Sequence, residues 1–89
     1  MTDSPLDLRR KRLKFRAWHR GTREADYTIG GFFDRYHAEW DEAAMQWFED
    51  LLEHDDVDVL AWALQSAPAP ARFHGPLLEA FQRLDYVTI

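Results

Sequence analysis

The sequence contains no cysteine. That excludes a disulfide scaffold and every cysteine-based zinc, iron–sulfur or redox site, and it suits a reducing compartment. No run of about 18 apolar residues occurs, so no segment reads as a membrane span. The N-terminal charges are not followed by an apolar stretch, and no signal peptide is read there. Serine occurs only at Ser4 and Ser66, neither within a G-x-S-x-G frame, which removes the usual setting of a nucleophilic triad. Glycine is scarce, and Gly30-Gly31 lies in a helical pattern rather than in a Walker loop or a G-x-G-x-x-G turn. His19, His37, His54 and His74 are never three or four apart, so no helix face offers a ready metal pair. Asp55, Asp56 and Asp58 lack the other oxygen ligands of a calcium loop. They read as capping and turn residues.

What is present is apolar, aromatic and unevenly charged. A hydrophobic content of 46% and an aromatic content of 15% in 89 residues describe one small packed domain spanning 1–89. Residues 1–6 are expected to be flexible and 86–89 to form a tail. Residues 1–23 carry eight Lys/Arg against two Asp/Glu, whereas residues 24–89 carry three against fourteen. The chain thus has a basic head and an acidic body. Three uses of the head stay open from composition: contacts to phosphates, a merely solvated helix, or a face that meets an acidic protein. The acidic body would repel a polyanion, which weighs against nucleic acid.

The pattern is helical throughout, and the fold class is all-α: a compact bundle of about five short helices. Asp7 to Arg20 reads as the first, with apolar stripes Leu6/Leu13/Ala17 and Leu8/Phe15/Trp18. Gly21 ends it as a C′ residue. Thr22 caps the second helix, whose apolar stripe is Ala25, Ile29, Phe32, Phe33, Tyr36 and Trp40. The Gly30-Gly31 pair inside it costs about 1 kcal/mol per glycine relative to alanine, and marks close packing or a bend. Asp41 caps a third helix with Ala44, Trp47, Phe48, Leu51 and Leu52 inward, ending near His54. Asp56 is expected as the next N-cap. The helix that follows, with Val57, Leu60, Trp62 and Leu64, is apolar nearly all round and is expected to sit centrally. Ala67-Pro68-Ala69-Pro70 forms a stiff loop, and Pro76 opens a last helix that turns Leu77, Leu78, Phe81 and Leu84 inward. Tyr86 to Ile89 is expected to be extended on the surface.

The junction HRGTRE, His19 to Glu24, is the most distinctive feature. As a plain helix stop it needs only Gly21. The combination also offers a planar guanidinium on Arg20, a residue without a side chain at Gly21, and a carboxylate one turn later at Glu24. Such a polar tip fits docking against another protein, with Glu24 orienting Arg20 or receiving a donor.

The stretch RLKFRAWHRGTREADYTIGGFFDRY, running from Arg12 to Tyr36, resembles the succinate dehydrogenase assembly factors, SdhE in bacteria and Sdh5 in mitochondria. The hallmark of that family is R-G-x-x-E, matched by Arg20, Gly21 and Glu24. A second signature is an acidic turn, L-L-E-x-x-D-x-D-x-x-x-W. Leu51, Leu52, Glu53, Asp58 and Trp62 carry it within LLEHDDVDVLAW, with Asp56 and Asp58 at the D-x-D spacing and Asp55 as the other candidate. Thr22 stands where many relatives have methionine, Gly30-Gly31 replaces bulkier segments, and the residues from Leu77 on match only in being helical and apolar.

The resemblance implies a non-enzymatic chaperone. It would bind the flavoprotein subunit of succinate dehydrogenase, or of fumarate reductase, and promote covalent attachment of FAD there. The partner-binding residues it implies are Arg20, Gly21 and Glu24, with Asp56 and Asp58 of the acidic turn; Arg16, Arg12 and Arg23 would steer association. No nucleotide-binding fold is read in the chain, so no tightly bound FAD is expected, and the histidine spacing gives no expectation of a metal. The factor would be monomeric when free, without nucleic acid or membrane insertion, in the bacterial cytoplasm or the mitochondrial matrix. A small nucleic-acid-binding or antitoxin-like module using the basic helix is the alternative.

Overall fold

A helix needs its first amides satisfied, and here short polar side chains do this at three starts. The computed structural model describes residues 4–87. Helix α1, Pro5–Trp18, begins where Ser4 Oγ accepts from the Asp7 amide at 3.1 Å. Helix α2, Arg23–Tyr36, begins where Thr22 Oγ1 accepts from the Ala25 amide at 3.2 Å. Helix α3, Glu42–Leu52, begins where Asp41 Oδ1 accepts from the Ala44 amide at 2.8 Å. Helix α4 spans Asp56–Ala63 and α5 spans Pro76–Arg83, with Pro76 at its first position as expected. Two 3-10 turns, His37–Glu39 and Ala71–Phe73, complete the order. Among the described residues there is no strand.

The core grows outward from Phe32 on α2. Its ring lies 5.0 Å from Phe81, 5.3 Å from Tyr86 and 5.6 Å from Trp40, centre to centre. Phe33 packs on Phe48 at 5.5 Å, and Met45, Leu51, Leu13 and Ile29 close the sides. Edge-on and tilted rings at these separations add about 0.5–1.5 kcal/mol per pair beyond area burial.

Several expectations are corrected. Helix α1 starts at Pro5 and stops at Trp18, not Arg20. Of its two stripes only Leu13 and Ala17 are buried, while Leu6, Leu8 and Phe15 stay exposed. Its early part is docked, because Arg9 reaches across to Glu49 and Gln46 on α3. The stripe of α2 does not run unbroken to Trp40. The helix ends at Tyr36, a 3-10 turn follows, and Trp40 enters the core from an extended backbone. Met45 takes a core position on α3, where Ala44 and Trp47 are only half-buried; the Trp47 indole N–H donates to Phe73 O at 3.0 Å. Helix α4 is not central. It buries Val59, Trp62 and Ala63 and leaves Val57 79% and Leu64 64% exposed.

The tail also differs from the expected exposed strand. Leu84, in a left-handed conformation, ends α5 and turns the chain inward. Tyr86 is then buried, and its hydroxyl donates to Phe81 O at 2.7 Å. Burial pushes the Tyr86 phenol upward, with Asp85 adding to the rise. Met1–Asp3 and Thr88–Ile89 lie outside the described residues, so the expectations for those positions rest on sequence.

The glycine pair on α2 marks close packing. A Cβ at Gly30 would lie 2.4 Å from Trp18 Cδ2 and 2.5 Å from Cε2, so the indole of α1 lies directly on the α2 backbone. Overpacking of this kind costs about 1–3 kcal/mol. The helix gain of about 1 kcal/mol for replacing glycine with alanine offsets only part of it. Gly30→Ala is therefore expected to destabilise by about 1 kcal/mol in urea unfolding, despite its better helix propensity. The loss should shrink in a Trp18→Ala background, where the clash is absent.

Candidate functional site

The tip begins two residues before its glycine. Helix α1 ends at Trp18, with His19 as C-cap. Gly21 follows at φ +116°, a conformation that side-chain-bearing residues rarely adopt. It stands two residues past the His19 cap, not at the C′ position expected, which Arg20 takes. The turn is held from α2: Asp26 Oδ1 accepts from the Arg20 amide at 2.7 Å and from the Gly21 amide at 3.4 Å. A Cβ at Gly21 would meet nothing within 4 Å, so the residue stands open to solvent.

Arg20 points the other way. Its Nε donates to Asp56 Oδ1 at 2.7 Å, Nη1 to Leu52 O at 3.0 Å and Nη2 to His54 O at 3.0 Å. The side chain is only 13% exposed. Leu52 is the last residue of α3, where unpaired carbonyls and the negative end of the helix dipole favour a cation. Arg20 thus caps α3 rather than its own helix. Asp56 is likewise not the N-cap of α4. Asp55 holds that place without a side-chain cap bond, and the Asp56 carboxylate, at the first helical position, is engaged by Arg20.

The two sequence signatures, some thirty residues apart, therefore meet at one guanidinium. Leu51, Leu52 and Trp62 of the second signature are buried beneath it. Trp62 contacts the His54 ring edge-on at 5.1 Å. Glu53 pairs with Arg16 at 3.5 Å, which ties α1 to the same corner.

The other expected site residues stay on the surface. Gly21, Thr22, Arg23 and Glu24 are exposed, and so are Arg12 and Asp58. Glu24 does not orient Arg20; Asp26 holds the Arg20 backbone and Asp56 its side chain. Among the described residues no hydrogen bond or ion pair engages the side chains of Glu24, Arg23, Arg12 or Asp58. These groups are available to a partner in a way the Arg20 guanidinium is not. Sequence reasoning missed Asp26, which holds the turn. Its i+6 spacing from Arg20 matches no common capping pattern.

The basic head is largely committed within the chain. Arg9 pairs with Glu49 and approaches Glu42 at 3.7 Å, and Lys14 approaches Asp34 at 3.6 Å. Arg10 donates to Trp40 O at 3.1 Å. A helix whose cations face its own acidic neighbours presents little of a phosphate track. Among the described residues no three His, Asp or Glu come together as a metal site, and no helix is long and apolar enough to cross a membrane.

Residues 11–85 match the Sdh5 protein family, described as "Flavinator of succinate dehydrogenase". The chain belongs to this family. It is 36% identical over 78 residues to the FAD assembly factor SdhE of Acetobacter pasteurianus, covering 88% of this chain and 72% of that protein. It is 31% identical over 88 residues to the mitochondrial succinate dehydrogenase assembly factor 2 of Saccharomyces cerevisiae, covering 94% of this chain and 54% of that one. A Drosophila persimilis factor, 2-B, is 24% identical over 83 residues. The chain thus spans about half the length of these mitochondrial relatives.

Within this flavinator family fold, Arg20 carries a measurable structural load. Hydrogen bonds to charged groups contribute about 1.5–3 kcal/mol. Arg20→Ala is expected to destabilise by about 2 kcal/mol in chemical unfolding. Arg20→Lys should recover little of this, because one ammonium cannot span three acceptors on two elements. Glu24→Ala, at an exposed unpaired carboxylate, should change stability by less than about 0.5 kcal/mol.

Proposed function

We propose that the chain is a non-enzymatic assembly factor that binds the flavoprotein subunit of succinate dehydrogenase and promotes covalent attachment of FAD to it. The observation that carries this reading is the family match over residues 11–85, with both signatures joined around one exposed glycine tip. Bacterial and mitochondrial relatives bear names of the same activity. The bond-forming chemistry belongs to the flavoprotein and its flavin; the factor holds the subunit in a competent arrangement. Fumarate reductase, built on a related flavoprotein, is a second candidate client. The free factor acts as a monomer and carries no tightly bound FAD of its own, in the bacterial cytoplasm or the mitochondrial matrix.

In this reading the tip divides its work. Arg20 fixes the turn from inside, Gly21 lets another backbone approach, and Glu24 offers a carboxylate to a donor on the flavoprotein. Asp58 lies beyond it on α4. Arg12, Arg16 and Arg23 speed encounter with an acidic surface, an effect that salt weakens.

Removal of the factor should abolish the protein-bound flavin band of the dehydrogenase subunit in a denaturing gel, and the wild-type chain should restore it. A steric role for Gly21 separates two substitutions. Both Gly21→Ala and Gly21→Arg bear the backbone cost of φ +116°, about 1–3 kcal/mol. Only arginine adds bulk where the partner would sit. Gly21→Arg is expected to lose covalent flavin while Gly21→Ala keeps a substantial part. Equal loss in both, tracking equal loss of folding, would assign the glycine to backbone geometry alone.

A further inference from the structure

Helix α4 carries two apolar stripes, and the fold fully buries only one. Val59, Trp62 and Ala63 face the core. Val57 and Leu60 of the helix and Leu64 at its C-cap, at i, i+3 and i+7, form the other stripe; Leu60 is half-buried against the core, whereas Val57 and Leu64 are among the most exposed large apolar residues described. Between this stripe and α2 runs a groove of about 300 Å³. Leu60 and Leu64 form one wall, Tyr27 and Thr28 the other, and Val87 lies at one side. Its charged rim is Arg23 and Glu24, the second of which also ends the R-G-x-x-E signature.

We infer that this α2–α4 groove is the second half of the docking surface, and that it takes one large apolar side chain of the flavoprotein with a lysine or arginine beside it. The inference rests on the reading of the chain as a flavoprotein-binding factor. The groove is continuous with the tip through Glu24, one helical turn from Gly21. The Arg20–Asp56 bond fixes the first turn of α4 to the tip, so groove and glycine are presented as one rigid body. The flanking residue meets Glu24, the one carboxylate lining the groove, which is exposed and unpaired, whereas Asp56 is already engaged by Arg20. A second copy of this chain fits poorly. A stable interface buries roughly 800 Å² per partner, and a stripe of three side chains supplies little of that without the tip beside it.

The experiment titrates the purified flavoprotein subunit of succinate dehydrogenase with the full chain and with variants. Leu64→Glu and the milder Leu64→Ser place a polar group on an exposed position, so folding should be retained, with circular dichroism as the check. Leu8→Glu, on an exposed apolar residue at the far end of α1, is the control. Leu64→Glu is expected to weaken binding by about tenfold or more, Leu64→Ser by less, and Leu8→Glu not at all. A photoreactive residue at position 64 should cross-link to the flavoprotein, whereas one at position 8 should not. If the wild type binds and Gly21→Arg does not, but Leu64→Glu binds normally without a cross-link from position 64, the groove is overturned and the assembly-factor reading stands. If the wild type itself fails to bind, that reading falls first. A wild-type dimer in sedimentation that Leu64→Glu converts to monomer would assign the stripe to a second copy and overturn the proposal.

Discussion

Three hydrogen bonds from the Arg20 guanidinium hold the arrangement that the rest of the molecule elaborates. They run to the last residue of α3, to the carbonyl two residues on, and to the first residue of α4. A helix end leaves carbonyls without intrahelical partners, and the connection to α4 is too short to supply them. A planar, permanently charged fork meets all three acceptors at once, which an ammonium or an amide cannot do. Because the guanidinium belongs to the α1–α2 turn, satisfying the end of α3 also brings that turn beside α4. The tip is placed by a group that it hides.

The same logic governs the charge layout. A basic helix and an acidic body suggest separate surfaces with separate partners. In the fold they are largely one another's partners: Arg9 meets Glu49, Arg16 meets Glu53, Lys14 approaches Asp34 and Arg20 binds Asp56. Most of these pairs are partly exposed and worth little singly. They matter for register, since they align α1 along α2, α3 and α4. In a chain this small, where the core leaves a thin margin, such alignment supplements burial. Net charge then describes the whole molecule poorly. What a partner meets is the charge left unpaired, which includes Arg12, Arg23, Glu24 and Asp58.

The legible parts of the fold were those written locally. Thr22 and Asp41 announced their helices, because a cap acts over three residues. The α2 stripe predicted Ile29, Phe32 and Phe33 inside, because the helix period is fixed. Gly30 announced close packing, although nothing local said that the indole of Trp18 would lie against it. Apolar residues all round α4 predict a central helix, but the same pattern fits one buried and one largely uncovered stripe, and periodicity does not distinguish these. The sequence points to Glu24 rather than to the true partners of Arg20 for a similar reason. Its acceptors lie more than thirty residues away, and two of them are backbone carbonyls, which leave no mark in a sequence. The sequence puts Tyr86 in an extended surface tail, but the left-handed Leu84 turns it into the core.

A docking tip has to be exposed and fixed at the same time, and those demands conflict. Exposed turns lose contacts and gain freedom, and that freedom must be given up on binding. Here the conflict is resolved by dividing the signature between two faces. Arg20 is turned inward to three acceptors and Asp26 holds the two amides of the turn, so the backbone at Gly21 is set before any partner arrives. Gly21 has no side chain to tie down and the Glu24 carboxylate makes no internal contact, so both face outward. In the proposed docking role, substituting Arg20 and substituting Gly21 would therefore weaken docking by different routes, one by loosening the presentation and the other by filling the space presented. A functional assay alone would score them alike. Stability distinguishes them, because Arg20 holds up the corner of the fold on which the tip stands.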